Sequence, residues 1–230
     1  GDASFEDLVA KGYLSEAIIN YIALLGWAPK GEREIYSLEE LKQEFDIEGL
    51  SKSPSIFDPL KLRAINGEYI RMLTPEKFLE YATPYIRESV KREDVDLSNI
   101  SALLQNRTEV FTDIPEQVDF IDEMPDYDLA LYENKKMKTN CDTALDALTR
   151  SLPVMEAIED WRFDVLHDAL FKLIADMGVK NGYVLWPVRV AISGKQFTPG
   201  GAFEIAEIIG KDDTIARMKR SIEMLKNRAN

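Results

Sequence analysis

The residues best suited to chemistry lie between Asp176 and Glu204. The 27 residues between them contain no aspartate or glutamate but carry Lys180, Arg189 and Lys195, whereas the whole chain has a formal net charge of −13. Cationic side chains in a stretch without carboxylates can approach phosphates or base edges without adding repulsion. The local pattern therefore permits binding of RNA, although charge alone does not require it.

A turn follows Arg189 within the same stretch. Thr198, Pro199 and Gly200 precede a second glycine and the run AFEIAEII, which is typical of a helix. Free backbone N–H groups at a helix start can bind a phosphate or a base edge. Because a Pro-Gly-Gly sequence is usually only a turn, this motif carries weight only together with the charges around it.

The other reactive side chains form no catalytic constellation. His167 is followed by Asp168 on an amphipathic stretch, but no serine or cysteine nucleophile signature accompanies it, so a structural histidine is favoured. Cys141 is the single cysteine, which excludes a disulfide within the chain, favours a reducing cytosol and, with one histidine, argues against a zinc site. There is no Walker-type or dinucleotide-binding glycine motif. We expect no catalytic residue and no metal ligand in this chain.

Composition indicates a globular protein whose acidity is unevenly distributed. The hydrophobic fraction of 45% suffices for a core, and no run of about 18 apolar residues predicts a membrane span. Residues 1–71 carry 13 acids and 8 bases, residues 72–152 carry 17 and 9, and residues 153–230 carry 11 of each. An acidic protein is an unusual nucleic-acid binder, but the balanced last third leaves that function open.

Helix-start signals dominate the chain. Ser4 and Ser37 each begin a capping-box pattern, and Thr74 precedes a proline at the first position of an apolar helical stripe. Strand signals are few, and Pro187 argues against a central strand in YVLWPVRVAI. We predict instead that Pro187 lies in the first turn of a helix. The chain is predicted to be all-α, or nearly so.

Two features concern the organisation of the chain. We expect joints near Arg71–Thr74 and within residues 123–145, where EMPDYD and the polar stretch ENKKMKTN precede the next helix. The opening residues GDASFEDL contain no initiator methionine and no apolar signal region. We therefore expect the chain to begin inside a longer protein.

Several segments resemble bacterial-type glutamyl-tRNA synthetases. GYLSEAIINYIALLGWAPKGEREIYSLEEL and FDPLKLRAINGEYIR resemble the segment that follows the family's ATP-binding signature, and WPVRVAISGKQFTPGGAFEIAEIIGK resembles its C-terminal block. The resemblance covers essentially the whole chain and is weakest between about residues 118 and 150. The family's HIGH-type and KLSKR signatures are absent.

The resemblance implies three helical parts and no catalytic domain. Residues 1–72 would form a stem-contact region, and residues 73–140 and 141–230 would form two anticodon-binding subdomains, a helix bundle and an α-helix cage. ATP and magnesium would act in the missing catalytic domain, so no cofactor is expected in this chain. The implied partner is tRNA-Glu, bound by a monomeric, cytoplasmic protein that contacts no membrane. The full-length enzyme would ligate glutamate to this tRNA using ATP.

The same resemblance assigns roles to five residues. LLQNRTEVFTDIPEQ matches a family pattern in which the arginine, here Arg107, reads the third anticodon base. Cytosine presents two adjacent acceptors to a guanidinium fork, whereas guanine presents donors, so an arginine there favours tRNA-Glu over tRNA-Gln. Arg189 and Thr198 match family positions that read the other two bases, with Pro199 and Gly200 adding backbone groups.

Two other functions remain open from the residues alone. The acidic middle third could form a helical protein–protein interaction module that does not bind RNA. Alternatively, the many carboxylates could support a hydrolase, which would need two acids with perturbed pKa values in one pocket.

Overall fold

The structure, a computed structural model, describes residues 4–29, 31–44, 49–50 and 56–228. Within these ranges it contains twelve α-helices, three short 3-10 helices and two isolated β-bridges, but no β-sheet, which confirms the all-α prediction. The helices are α1 (Phe5–Ala10), α2 (Ser15–Gly26), α3 (Leu38–Glu44), α4 (Pro59–Met72), α5 (Pro75–Ser89), α6 (Leu97–Leu104), α7 (Ile114–Gln117), α8 (Cys141–Glu156), α9 (Phe163–Met177), α10 (Asn181–Ser193), α11 (Ala202–Ile209) and α12 (Lys211–Lys226).

None of the helices in these ranges has both the length and the apolar character that crossing a bilayer requires. The first three residues, on which the expected start inside a longer protein partly depends, lie outside the described residues.

The chain divides into two compact units. The first comprises Gly1–Glu88 and Ile100–Glu116, and the second comprises Ser89–Asn99 and Gln117–Asn230. The three-part division expected from the family resemblance, with boundaries after residues 72 and 140, stays a prediction.

Side-chain caps start several helices of the first unit, as the sequence predicts. The Ser4 hydroxyl accepts a hydrogen bond from the Asp7 amide, and the Asp7 carboxylate accepts one from the Ser4 amide. Ser37 and Glu40 form the same reciprocal pair at α3, and Thr74 caps α5. Each cap satisfies amide groups that have no partner within the helix.

A pair of fully buried asparagines holds the first unit together. The Asn66 side chain accepts a hydrogen bond from the Leu14 amide (2.9 Å) and donates one to the Glu109 carbonyl (2.6 Å). Asn20 accepts one from the Tyr36 amide (2.7 Å). These side-chain amides hydrogen-bond to groups that are far apart in the sequence. They therefore specify which segments pack together, which apolar contacts alone would not do.

Helices α8, α10 and α12 pack on one another in the centre of the second unit, with α9 and α11 beside them. On α10, Val184, Val188 and Ile192 lie four residues apart and are completely buried, which places one face of this helix in the core. The opposite face is left to carry Arg189, which is only partly buried.

Helix α10 begins earlier than the sequence suggested. Pro187 lies inside the helix and not in its first turn, because α10 starts at Asn181. Proline has no N–H to donate to the carbonyl four residues back, and its ring crowds that carbonyl, which normally destabilises a helix interior. Here Val184 and Val188, on either side of the proline, are both fully buried. Core packing therefore overrides the local preference.

One buried arginine connects separate parts of the second unit. Arg217 on α12 is 8% exposed, and its guanidinium donates to the carbonyls of Phe120 (2.8 Å), Ile121 (3.0 Å) and Ile192 (2.8 Å). Burial lowers the pKa of this group, but arginine is basic enough to stay charged at neutral pH. The bonds fasten the C-terminal end of α10 to the segment that follows α7.

We predict that Arg217→Met lowers the free energy of unfolding by about 3 kcal/mol, because three buried carbonyls lose a charged donor. Urea denaturation followed by circular dichroism measures this change. Arg220→Met is the matched control, since Arg220 is exposed and its ion pair among the described residues is with the fully exposed Asp126. This substitution should change the free energy of unfolding by less than about 0.5 kcal/mol. Equal effects of the two substitutions would contradict the role given to Arg217.

Candidate nucleic-acid interface

Arg189 is held in one orientation by three neighbours. Its Nη1 donates to the Thr198 hydroxyl (2.8 Å), its Nη2 donates to the Gln196 carbonyl (2.6 Å), and its Cζ lies 4.7 Å from the centre of the Trp186 ring. An arginine fixed in this way loses little conformational entropy when it binds a ligand. The guanidinium is therefore preorganised at the surface of the second unit.

The turn after α10 is shaped by its own hydrogen bonds. Helix α10 ends at Ser193 and is capped by Gly194, which has φ +66° and adopts the left-handed conformation that glycine allows without strain. The Thr198 hydroxyl donates to the Gly200 carbonyl (2.8 Å), and the Gly201 amide donates to the Glu204 carboxylate (3.0 Å) at the start of α11. The TPGG segment thus forms a closed, capped turn.

Thr198 and Pro199 are more enclosed than the sequence suggested. Thr198 is 7% exposed and Pro199 is also buried. The single hydroxyl hydrogen of Thr198 is directed at the Gly200 carbonyl, so this hydroxyl cannot also donate to an incoming group. In this structure these two residues shape the turn that holds Arg189, while Gly200, at φ +79°, is partly accessible.

Two grooves meet at Trp186, whose indole N–H donates to the Leu131 carbonyl (2.9 Å). The first, which we call the apolar groove, has a volume of about 370 Å³, and none of the described residues that line it is acidic. Its principal lining residues are Met137, Leu185, Trp186, Arg189, Ala202 and Phe203.

The second, which we call the polar groove, has a volume of about 500 Å³. Its principal lining residues are Asp128, Leu131, Glu133, Lys135, Trp186 and Gln196. Trp186 therefore lines both an acid-free groove and a mixed-charge groove.

The acid-free stretch of sequence is not free of acids in space. Lys195 forms an ion pair with Asp119 (2.8 Å), which lies far away in the chain. Of the three cationic residues in the stretch, Lys195 is therefore neutralised by a different segment. The charge anomaly that the sequence suggested is centred on Arg189 and Lys180.

Arg107 lies in the first unit, at the end of a short 3-10 helix, Gln105–Arg107, and is exposed. The Gln105 side chain donates to the carbonyls of Ile70 (3.1 Å) and Leu73 (2.8 Å), and the buried Thr108 hydroxyl donates to the Leu104 carbonyl (2.7 Å). Anchors on both sides thus fix the backbone from which Arg107 projects. The other four predicted residues lie together in the second unit.

Two apolar residues near Arg189 were not predicted from the sequence. Phe197 stands between Gln196 and Thr198 and is 74% exposed, and Met137 lines the apolar groove. A large aromatic residue between a polar residue and a turn is a signal that could have identified Phe197, because core aromatics rarely adjoin a Pro-Gly turn. Met137 had no such signal, since it reaches the groove only through tertiary folding.

The other potentially reactive groups take part in stacking contacts, burial or surface ion pairs. His167 stacks on Phe171 with ring centres 4.3 Å apart and contacts Asp168, while burial raises the pKa of the Cys141 thiol. Hydrogen bonds from Arg92 and Arg162 hold the pKa values of the exposed carboxyls Asp94 and Asp160 below their usual range, which is the behaviour of surface ion pairs. Among the described residues, no group of three potential ligands is placed to hold a metal ion.

Family comparisons match both ends of the chain. Residues 77–222 match the family described as "Anticodon binding domain", and residues 3–64 match "tRNA synthetases class I (E and Q), catalytic domain". A glutamate–tRNA ligase from Clostridium acetobutylicum is 56% identical over 225 residues, which cover 98% of this chain and 46% of that protein. The ligase from Clostridium tetani is 55% identical and covers 100% of this chain and 47% of that protein.

The solved structures that this chain resembles are also glutamate–tRNA ligases. A glutamate tRNA ligase from Elizabethkingia meningosepticum, crystallised in complex with its amino acid, superposes with a TM-score of 0.82 at 26% identity, over 97% of this chain and 43% of that one. A glutamate-tRNA synthetase from Elizabethkingia anophelis superposes with a TM-score of 0.77 at 26% identity, over 96% and 42%. The chain thus spans about half the length of the curated relatives that it matches.

We predict that Thr198→Val lowers the free energy of unfolding by about 1–2 kcal/mol, since the shape is kept while the hydroxyl that joins Arg189 to Gly200 is lost. Chemical denaturation measures this change. Thr149→Val, at an exposed position of α8, is the control and should change stability by less than about 0.5 kcal/mol. If Thr198→Val matched the control, the hydroxyl would not organise the turn.

Proposed function

Because the chain belongs to the family of anticodon-binding domains, as found in glutamate–tRNA ligases, we propose that it recognises tRNA-Glu through the anticodon and the stem. The observation that carries the proposal is the Arg189 fork, which is held against Trp186 and Thr198 at the edge of the acid-free apolar groove. A fixed guanidinium beside an aromatic ring and an apolar cavity suits an unstacked base, which needs both stacking and donors.

In this proposal the second unit reads two of the anticodon bases. Arg189 supplies donors to one base edge, and Gly200 supplies backbone groups where no side chain blocks approach. Thr198 and Pro199 hold the turn in shape, and the Thr198 hydroxyl orients the Arg189 guanidinium. The exposed ring of Phe197 adds a surface on which a base can stack, an interaction worth about 1–3 kcal/mol per base.

Arg107 is proposed to read the third anticodon base. A guanidinium fork donates two parallel hydrogen bonds to O2 and N3 of cytosine but meets donors on guanine. A good bidentate pair contributes about 1–3 kcal/mol, or roughly tenfold to 150-fold in affinity. The anchored backbone around Arg107 supports this role, because discrimination needs donors at a fixed position.

The wider organisation follows from the same proposal. Residues 1–72 would contact the tRNA stem, and residues 73–140 and 141–230 would form the two anticodon-binding subdomains. The full-length protein would activate glutamate with ATP and magnesium in its catalytic domain and transfer the amino acid to tRNA-Glu. We propose a monomeric, cytoplasmic protein. None of the comparisons or contacts favours a protein–protein interaction module instead.

The proposal is tested by titrating this chain with tRNA-Glu and tRNA-Gln at several salt concentrations. Tighter binding of tRNA-Glu, weakening as salt rises, is expected, because phosphate contacts release counterions. Binding that is insensitive to salt, or equal for the two tRNAs, would contradict the proposal.

We predict that Arg107→Gln reduces the preference for tRNA-Glu over tRNA-Gln by about tenfold or more, because the loss of the charged fork removes the bidentate contact. Competition binding with the two tRNAs measures the ratio. Arg162→Gln, an exposed arginine paired with Asp160, serves as the control and should leave the ratio unchanged. An unchanged ratio for Arg107→Gln would show that another residue reads the third base.

For Arg189→Ala we expect weaker binding of both tRNAs by roughly tenfold or more, with little change in their ratio, because the two anticodons differ only at the base that Arg107 would read. Arg189→Lys should recover only part of the loss, since an ammonium group keeps the charge without the planar fork. The control is Arg220→Ala, which removes an exposed charge from α12. A loss confined to one tRNA would overturn this assignment.

A further inference from the structure

A rigid basic turn lies next to the Arg189 site. Asn134 and Thr139 pair through two backbone hydrogen bonds of 3.1 Å each, which close the segment KKMK into a tight turn. The Asn134 side chain accepts a further bond from the Met137 amide (3.1 Å), and Lys138 adopts φ +56°. We call residues 134–139 the lysine turn.

The lysine turn is fastened to the core of the second unit. The buried Thr139 hydroxyl donates to the carbonyl of Tyr132 (2.7 Å), and Tyr132 is itself completely buried. The Tyr132 hydroxyl lies 2.7 Å from that of Tyr127, which donates to Ser221 (2.8 Å). The turn is thus built on an ordered network and presents its charges from a fixed base.

Three exposed ammonium groups project from this turn. Lys135, Lys136 and Lys138 are all exposed, and within the described part of the chain none of them forms an ion pair or a hydrogen bond through its side chain. Other cations of the same unit, such as Lys195 and Arg92, are engaged by carboxylates. Three cations on one turn with no ion-pair partner among the described residues make this part of an acidic protein locally positive, although Asp128 and Glu133 line the groove that Lys135 also lines.

The lysine turn borders both grooves. Met137 lines the apolar groove and packs against Gly182, where a Cβ would overlap the methionine sulfur. Lys135 lines the polar groove together with Trp186. Lys135 therefore lies at the polar groove, together with Asp128 and Glu133, while Lys136 and Lys138 stand on either side of Met137, which lines the apolar groove.

We propose that the lysine turn binds the phosphate backbone of the RNA whose bases enter the Arg189 site, an inference that rests on the proposed function. Ammonium groups on flexible stems neutralise phosphates without reading sequence. An acidic protein could also be attracted by this charge, but the bordering aromatic ring and base-sized groove favour a nucleic acid. The turn binds the backbone, whereas Arg107 and Arg189 bind bases.

The test removes the three charges while keeping the fold. The variant carries Lys135→Ala, Lys136→Ala and Lys138→Asn, because asparagine tolerates the positive φ at the last position. A rescue variant carries arginine at all three positions. The matched control carries Lys172→Ala, Lys219→Ala and Lys226→Ala, which remove the same charge from exposed positions of α9 and α12.

Binding of tRNA-Glu and tRNA-Gln is measured from low to moderate salt. Each lost phosphate contact should reduce the slope of log affinity against log salt by about 0.7–0.9. For the lysine-turn variant, the magnitude of this slope should therefore fall by about 2. The variant should bind both tRNAs at least tenfold more weakly at low salt and keep the preference for tRNA-Glu over tRNA-Gln. The arginine variant should restore the slope, and the control should keep it.

The outcomes separate this inference from the proposed function. If the unaltered chain shows no salt-dependent preference for tRNA-Glu, the proposed function fails. If that preference is present but the lysine-turn variant keeps the full slope, or the control loses as much, the inference alone is overturned. If thermal melting shows that the triple variant is unfolded, the single variant Lys136→Glu, at an exposed position, replaces it. A reduced slope of log affinity against log salt then supports the inference, and an unchanged slope overturns it.

Discussion

The buried guanidinium of Arg217 is the interaction on which the second unit depends. It binds carbonyls from two segments that lie about a hundred and about twenty-five residues away from it in the chain. One of these carbonyls belongs to Ile192, at the end of the helix that carries Arg189. Because a buried charge that lacks hydrogen-bond partners costs several kcal/mol, this contact favours the arrangement in which all three carbonyls meet the guanidinium. The positions of the turn that follows α10 and of the apolar groove beside it depend on that arrangement.

The candidate interface shows how an acidic chain can present a surface for a polyanion. Net charge governs long-range repulsion, but a bound polymer meets only the charges within about a Debye length of the contact. Around Arg189 the described residues that line the apolar groove include no acid, and the lysine turn adds three exposed cations beside it. Lys195, by contrast, is compensated by Asp119. Local arrangement therefore matters more than the overall charge.

Local structure was predictable where it depends on short-range chemistry. The caps at Ser4, Ser37 and Thr74 need only residues three positions apart, so the sequence contains all of the information. The start of α10 was misjudged because the penalty for Pro187 inside a helix is local, whereas the compensating burial of Val184 and Val188 comes from other helices. A sequence pattern shows the local cost of a proline inside a helix, but it does not show the stabilisation that comes from packing against other helices.

The sequence by itself determined the helical class, the helix caps, the family of the chain and the identity of the candidate residues, because each of these is written in residue types and spacings along the chain. Only the tertiary structure decided what those residues can do. It enclosed the Thr198 hydroxyl between Arg189 and Gly200. It also neutralised Lys195 and placed Lys135, which has no ion-pair partner among the described residues, in a groove with Trp186. The physical reason is that burial and electrostatic partnership depend on distances in space, and residues far apart in the chain set those distances.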